Sequence, residues 1–397
     1  MSQLRVEVHP RISGINPTDW DRCAQSDAPD NNPFISHAFL LALEESGSVG
    51  AETGWQPQHL TVQDDDGKII ACAPLYLKSH SYGEYVFDWS WANAYERAGR
   101  NYYPKLQSAV PFSPVTGKRL LISPTTEQET KDLRIALLNA MLQILQQYDA
   151  SSLHLTFTTK EEWQQLKEAG LLARSGIQYH WENEGYESFD DFLGALSSRK
   201  RKAIRKERRE AQAHGLEIKT LTGSDLTPEI CDQFYNLYLN TVDKKYAHDY
   251  LNRDFFQMLG TKLADKVVLS TAWATTMDNS VRDTSVMVAG ALNLVGGDTL
   301  YGRNWGSHGH FPNLHFELCY YQAIDYAITH GLKKVEAGAQ GEHKIQRGYL
   351  PTKTYSLHGI ADPQFRAAIA RFLQSENPAI DHEIEQLCDI GPFKKSD

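Results

Sequence analysis

The sequence has no run of about 18 consecutive apolar residues, so no helical membrane span is expected. Its start, Met1 to Val8, alternates apolar and polar residues as a strand does. It lacks the apolar core and cleavage site of a signal peptide, and a cytoplasmic chain is expected. Cysteine is scarce. The five present (Cys23, Cys72, Cys231, Cys319 and Cys388) are odd in number and show no metal-type spacing, which fits reduced thiols rather than a disulfide framework. Positive charge is not in excess either, since the formal net charge is −10. General affinity for nucleic acid or anionic lipid is therefore not expected, and any polyanion must find a local patch. No Gly-x-Ser-x-Gly elbow and no Walker loop occurs, which removes the usual hydrolase and NTPase readings.

What is present suits a soluble globular protein, with 41% hydrophobic and 23% charged residues. At 397 residues the chain is too long for one ordinary core, so two domains are expected. Gln58 to Lys78 reads as a hairpin around Asp64-Asp65-Asp66-Gly67, and Tyr85 to Trp89 as an aromatic strand. A helix follows at Glu127 to Tyr148, then a strand at Ser152 to Thr158 and a helix at Glu161 to Ala169. The second half repeats this order. Strands are expected at Val267 to Thr275, Val286 to Val295 and Thr299 to Arg303. A helix at Leu314 to Thr329 shows an apolar stripe of near 3.6-residue period. Lys334 to Glu336 and Thr354 to His358 read as short strands, and Pro363 to Leu387 as a last helix. Ala71 to Leu77 with Val86 to Trp89 matches the spacing of Val288 to Leu294 with Leu300 to Arg303, which suggests a duplication. The expectation is a mixed α/β fold of two units, 1–180 and 181–397.

Four groups of residues carry chemistry. A basic helix from Phe189 to His214 holds Arg199, Lys200, Arg201, Lys202, Arg205, Lys206, Arg208 and Arg209 on apolar anchors at its start. Like charges at helical spacing repel, and a phosphate-bearing partner would relieve that repulsion. A solvated face balanced by acidic neighbours is the plainer reading. Next, Arg303-Asn304-Trp305 ends a predicted strand, and Glu317 lies in the first turn of the following helix, where α/β folds place ligands. Glu317 could serve as the base for an amine, with Arg303 or Asn304 binding a substrate carboxylate. Alternatively, Glu317 only complements the helix dipole and pairs with Arg303. Third, Glu336, Gln340, Glu342, His343, Lys344 and Arg347 crowd among glycines, which let backbone approach a ligand. His343 is a second base candidate there. Fourth, Asp88, Trp89, Trp91, Asn93 and Tyr95, with Tyr102 and Tyr103, suit a sugar face or flat ring, or equally an aromatic core. His308, His310 and His315 lie on a loop, and no metal is assigned to them.

Three stretches, Asn101 to Gly117, Tyr301 to Tyr321 and Glu336 to Tyr349, resemble a bacterial family of N-acyltransferases similar to the Fem aminoacyl transferases of cell-wall synthesis. The resemblance implies a tandem of two acyl-CoA N-acyltransferase (GNAT-like) units, and a chain that moves an acyl or aminoacyl group onto an amine. By that match Lys344 would stabilise charge on the donor phosphate or the tetrahedral intermediate, while the polar residues gathered on Gly-rich turns put Glu317 and His343, the latter in place of the family aromatic, near the same reacting centre. The substrate would face Arg303, Asn304, Trp305, Tyr320, Glu336, Gln340, Glu342 and Arg347. Donor phosphates would meet Arg199, Arg201, Lys202, Arg205 and Lys206. No Gln/Arg-x-x-Gly-x-Gly/Ala turn precedes a helix, so acetyl-CoA lacks its usual cradle. The donor stays open between acyl-CoA, an acyl carrier and aminoacyl-tRNA. A binding module for peptidoglycan precursors or an acyl carrier that does no chemistry is one alternative, and a CoA-dependent N-acetyltransferase with an atypical phosphate site is another.

Overall fold

The computed structural model describes residues 4–24, 31–244, 248–276, 284–338 and 341–394. It divides into two compact units. Unit 1 is Met1–Ile177 with Lys353–Ile384, and unit 2 is Gln178–Thr352 with Glu385–Asp397. Chain order alone would run the second unit from 181 to the end. The structure instead returns Lys353–Ile384 to unit 1, because the Leu350–Ile360 strand pairs there with Ser152–Thr156. Pairing between strands nearly two hundred residues apart has no local sequence signal.

Unit 1 contains an antiparallel sheet in the order Arg5–His9, His59–Gln63, Ile69–Ala73, Leu121–Ile122. A second run of strands goes Trp55–Pro57, Tyr76–Lys78, Lys105–Ser108, Ser152–Thr156, Leu350–Ile360. One face of this run is apolar. Leu106, Leu153, Leu155 and Leu357 join Leu133, Leu137 and Met141 of the Glu127–Gln147 helix in one core. That helix starts on a capping box, in which Thr126 and Glu129 satisfy each other's backbone N–H. The opposite face carries Lys78, Lys105, Gln107, His154 and His358, and all five are buried.

The expected aromatic strand at Tyr85 to Trp89 is not one. Residues 79–88 form neither strand nor helix, and the Trp89–Arg97 helix follows. Gly83 at φ +79° and Tyr85 at φ +59° take left-handed backbone, which a strand cannot accommodate. The spacing match between the halves therefore does not extend to this segment.

Unit 2 is built on Glu217–Thr222, Val267–Thr276, Thr284–Gly296 and Thr299–Ser307 in antiparallel order. Thr299–Ser307 then pairs in parallel with Lys334–Glu336, which meets residues His180 to Glu182. Helices Pro228–Lys244, Arg253–Lys262 and the long element from Leu314 to Thr329 complete the unit. The basic segment is two helices, Phe189–Ala195 and Ser198–Gln212. Extended backbone at Leu196 (ψ 155°) separates them, and its side chain is fully buried. Among the described residues no helix is long and apolar enough to cross a membrane.

Candidate active site in unit 2

The Thr299–Ser307 and Lys334–Glu336 strands run side by side for three pairs only, ending at Tyr301 with Glu336. Beyond that point they part. A Cβ on Gly302 would already lie 3.2 Å from the Glu336 carbonyl oxygen, so glycine permits the close approach where the fork begins. Arg303 is the extra residue of a bulge, since Leu292 faces Asn304 while the next residue, Asn293, faces Gly302. A bulge leaves one residue outside the ladder and re-aims its side chain. The opposite arm turns away at Gly338 (φ +77°). The opening lies at the carboxyl ends of parallel strands, where α/β sheets accept ligands.

Lys344 closes the fork. The short helix Glu342–Arg347 brings its ammonium to the carbonyl oxygens of Ala337 and Gly338, the latter at 3.2 Å. Only 5% of the residue is exposed. Burial pulls its pKa down to about 8, with Cys319 raising it and the neighbouring Arg303 lowering it further. His343 is exposed, and Nε2 lies 3.0 Å from the Tyr320 hydroxyl. Burial of part of the ring, with Arg347 and Lys344 nearby, pushes the imidazole below its ordinary value and favours the neutral form.

Behind the fork sits a chain of charged groups. The Leu314–Thr329 element contains one π-helical turn, Glu317–Tyr321, a distortion common at functional sites. Arg347 donates to the His343 carbonyl oxygen at 2.7 Å and to Glu207 at 2.9 Å, and its guanidinium stacks 3.4 Å over Phe316. Glu207 also accepts from the Tyr321 hydroxyl. Arg208 donates Nε and Nη2 to the two oxygens of Glu317 at 3.1 and 3.0 Å, and Gln322 donates to Glu317 at 2.8 Å. Asp325 adds a further ion pair to Arg208 at 2.7 Å.

Glu317 is thus fully buried with both oxygens engaged. Oε1 accepts from Arg208 and Gln322, and Oε2 from Arg208. The partner is Arg208 rather than Arg303. Glu336 lies 2% exposed on its strand, bonded to Lys334 through Oε1 at 2.8 Å, while Oε2 has no hydrogen-bond partner among the described residues. Trp305 packs edge-on to His315 at 5.1 Å, and Asn304 is half-buried on the fork strand. Glu342 is exposed, and Gln340 lies outside the described residues.

The donor-phosphate candidates separate by surroundings. Arg205 pairs with Asp190 at 2.8 Å, and Lys206 lies 3.6 Å from Glu210, both at the surface. Arg199 and Lys202 are exposed and Arg201 is half-buried, and none of the three has an ion pair with a described residue. Sequence reasoning missed Glu207 and Arg208 as the inward members of the basic helix. Ile204 and Ala211, apolar at helical spacing on that side, were the available signal. Among the described residues no group of three His, Cys, Asp or Glu side chains could hold a metal ion.

The solved structure of FemX matches with a TM-score of 0.55 at 13% identity, covering 90% of this chain and 98% of that one. The C-terminal domain of a putative lysylphosphatidylglycerol synthetase from Agrobacterium fabrum matches with a TM-score of 0.53 at 10% identity, covering 90% and 95%. L-PGS from Bacillus licheniformis matches at 0.50 and 10% identity, covering 84% and 95%. At such identities the likeness is one of fold. No curated protein sequence matches the chain. Residues 11–395 match the FemAB-like family, described as peptidoglycan biosynthesis/recognition, and the chain belongs to that family.

Proposed function

We propose that this protein transfers an acyl or aminoacyl group from a phosphate-bearing donor to an amine acceptor in cell-wall metabolism. One observation carries the reading: the strand fork of unit 2 is bracketed by the bulged Arg303 and the buried Lys344. Acyl transfer to an amine needs cations or N–H donors where the carbonyl oxygen becomes negative. An ester or thioester carbonyl laid in the fork would meet two cations there. The family description, peptidoglycan biosynthesis/recognition, supports a cell-wall amine as acceptor.

In this reading the acceptor nitrogen attacks the acyl carbon, and the electron pair of the carbonyl moves onto its oxygen beside Arg303 and Lys344. His343, neutral and in contact with Tyr320, takes the proton that the amine sheds. The bond from the acyl carbon to the donor oxygen or sulfur then breaks, and the leaving atom takes that proton. Arg347 fixes the His343 backbone through its carbonyl and is itself held by Glu207 and Phe316. Glu317 takes no part in proton transfer and anchors the basic helix through Arg208. Arg199, Arg201 and Lys202 are the cations left to meet donor phosphates, whether of acyl-CoA, an acyl carrier or aminoacyl-tRNA.

Native mass spectrometry of freshly purified protein, searching for a retained donor, is the first test. Incubation with each donor class and a muramyl-peptide amine, with the product read by mass spectrometry, is the second. Acyl product formed by the wild type and lost in folded Lys344→Ala supports the reading. Product from none of the three donor classes, or full turnover by Lys344→Ala, would overturn it.

A further inference from the structure

The polar face of the sheet in unit 1 is an anomaly for a structural core. Lys78 and Lys105 are register partners on adjacent strands, and both side chains are fully buried. Gln107, His154 and His358 continue the same face across the next two strands. The leucines between them supply an ordinary core on the other side. Burying this many ionisable groups is costly, and an apolar face would stabilise the unit more.

The charges converge on the segment between 79 and 88. Lys105 donates to Glu84 at 2.7 Å, to Ser81 at 2.8 Å and also to Asp88. The Tyr102 hydroxyl donates to Asp88 at 2.6 Å, and His154 lies 3.9 Å from the same oxygen. His154 is in turn 2.7 Å from His358. Lys78 lies against the face of Trp55 at 3.6 Å and donates to the Tyr82 carbonyl oxygen at 3.2 Å. Yet each carboxylate is used on one side only. Among the described residues Glu84 Oε1 and Asp88 Oδ1 are buried without a hydrogen-bond partner, as is Gln107 Oε1, and Lys78 stands 3.8 Å from the Glu84 oxygen. Glu84 and Asp88 are 4% and 2% exposed. Buried polar atoms are almost always satisfied, so three orphaned acceptors in one cluster point to a missing donor.

The covering segment fits a ligand too. It has no strand or helix, turns on Gly83 and Tyr85, and bears Tyr82, Phe87 and Trp89 at 41%, 57% and 37% exposure. A Cβ at Gly83 would meet the Phe112 ring at 2.5 Å, so the turn is shaped to seat over that ring. Exposed rings at such density suit a flat or sugar face. We propose that unit 1 holds its own ligand site, in which Glu84 and Asp88 receive the ammonium group of a primary amine attached to a ring, and Tyr82, Phe87 and Trp89 receive the ring. The site stands independently of the acyl-transfer reading for unit 2.

Burial raises the Glu84 pKa to about 7, with Lys105 and Lys78 opposing and Asp88 adding to the rise. Burial takes Lys78 down to about 6, so it is mostly neutral at pH 7. The other groups facing Glu84 are Tyr102 and Tyr103, while His80 stands beside Lys78 and His154 beside Asp88. An arriving ammonium would stabilise the ionised form of Glu84, so binding at pH 7 releases part of a proton.

The test is isothermal titration of the full chain with glucosamine and with phenethylamine. N-acetylglucosamine and N-acetylphenethylamine serve as capped controls, and two buffers of different ionisation enthalpy are used. The expected result is saturable binding of at least one free amine, at least tenfold weaker binding of its capped form, and an apparent enthalpy that differs between buffers. Which free amine binds identifies the ring as sugar or aromatic. Folded Glu84→Gln should bind at least tenfold more weakly and lose the buffer dependence, and Trp89→Ala should weaken binding without removing that dependence. Absence of binding by both amines, equal binding of the capped forms, or unchanged affinity in folded Glu84→Gln overturns the proposal. Should Glu84→Gln fail to fold, the wild-type titrations and Trp89→Ala decide it.

Discussion

The Arg208 guanidinium grips both oxygens of Glu317, at 3.0 and 3.1 Å, and joins the basic helix to the π-helical turn beside the fork. Removing one partner of a buried pair leaves the other charge uncompensated. Arg208→Ala should therefore cost about 3–5 kcal/mol of stability. Glu317→Gln, which keeps a polar acceptor and drops the buried charge, should cost less, about 1–2 kcal/mol. Urea denaturation of the two variants measures both. A base at Glu317 would instead lose activity by orders of magnitude in folded Glu317→Gln, and such a loss would return that residue to the reacting centre.

Arg199 and Lys202 lie exposed on the outer face of the basic helix without an ion pair to a described residue. If they meet phosphates, binding of tRNA or another polyanionic donor weakens as salt rises. The double variant Arg199→Ala with Lys202→Ala should lower the slope of log affinity against log salt by roughly one or two. Filter binding at several salt concentrations gives the slope. An unchanged slope would assign this face to solvent.

The neutral histidines of unit 1 set an acid limit. Burial pushes His154 down to about 3, helped by Lys105, and drives His358 well below the ordinary range, with His154 adding to the effect. In the unfolded chain each titrates near 6.5. Between those values the unfolded state binds more protons, so stability rises with pH there and is lost as pH falls below about 6.5. Melting temperature should therefore drop steadily from pH 7 to pH 4.5. Folded His358→Gln should show a shallower decline, and an equal decline would clear the pair of this role.

Much of unit 2 was legible because its signals are local. β-Branched runs predict Val267–Thr276 and Thr284–Gly296, and a 3.6-residue stripe predicts the helix that ends at Thr329. The Tyr85 to Trp89 run misleads for a physical reason: aromatic residues favour strands, but a left-handed Tyr85 overrides that preference. Lys78, Gln107, His154 and His358 alternate with apolar neighbours along their strands, and alternation alone does not say what covers the polar side. Only tertiary packing shows that this face is buried, so the polar cluster of unit 1 stayed hidden. The partner of Glu317 was hidden in the same way. Its place in a first helical turn is visible in the sequence, whereas its bond to a helix more than a hundred residues earlier is not.

Lys344 offers the sharpest test of the reaction, because its charge is placed to change within reach of ordinary assays. A free lysine titrates near 10.4, whereas burial brings Lys344 to about 8. Between these values the folded chain holds fewer protons than the unfolded one, so raising pH through this window removes the penalty of the buried ammonium and favours the fold. Activity should move the other way. If the ammonium stabilises the oxyanion, kcat/KM falls as pH passes about 8, and folded Lys344→Ala lowers kcat by about 10²–10³-fold. Lys344→Arg keeps a charge that does not titrate in the assay range, so it should retain part of the rate and lose the alkaline limb. The acidic limb belongs to His343, whose lowered pKa places it below 6.5, and His343→Gln should remove it. Rates of acyl transfer from pH 5 to 9.5 for the wild type and the three variants check every step. An alkaline limb that persists unchanged in Lys344→Arg would place the titrating group elsewhere and take Lys344 out of the chemistry.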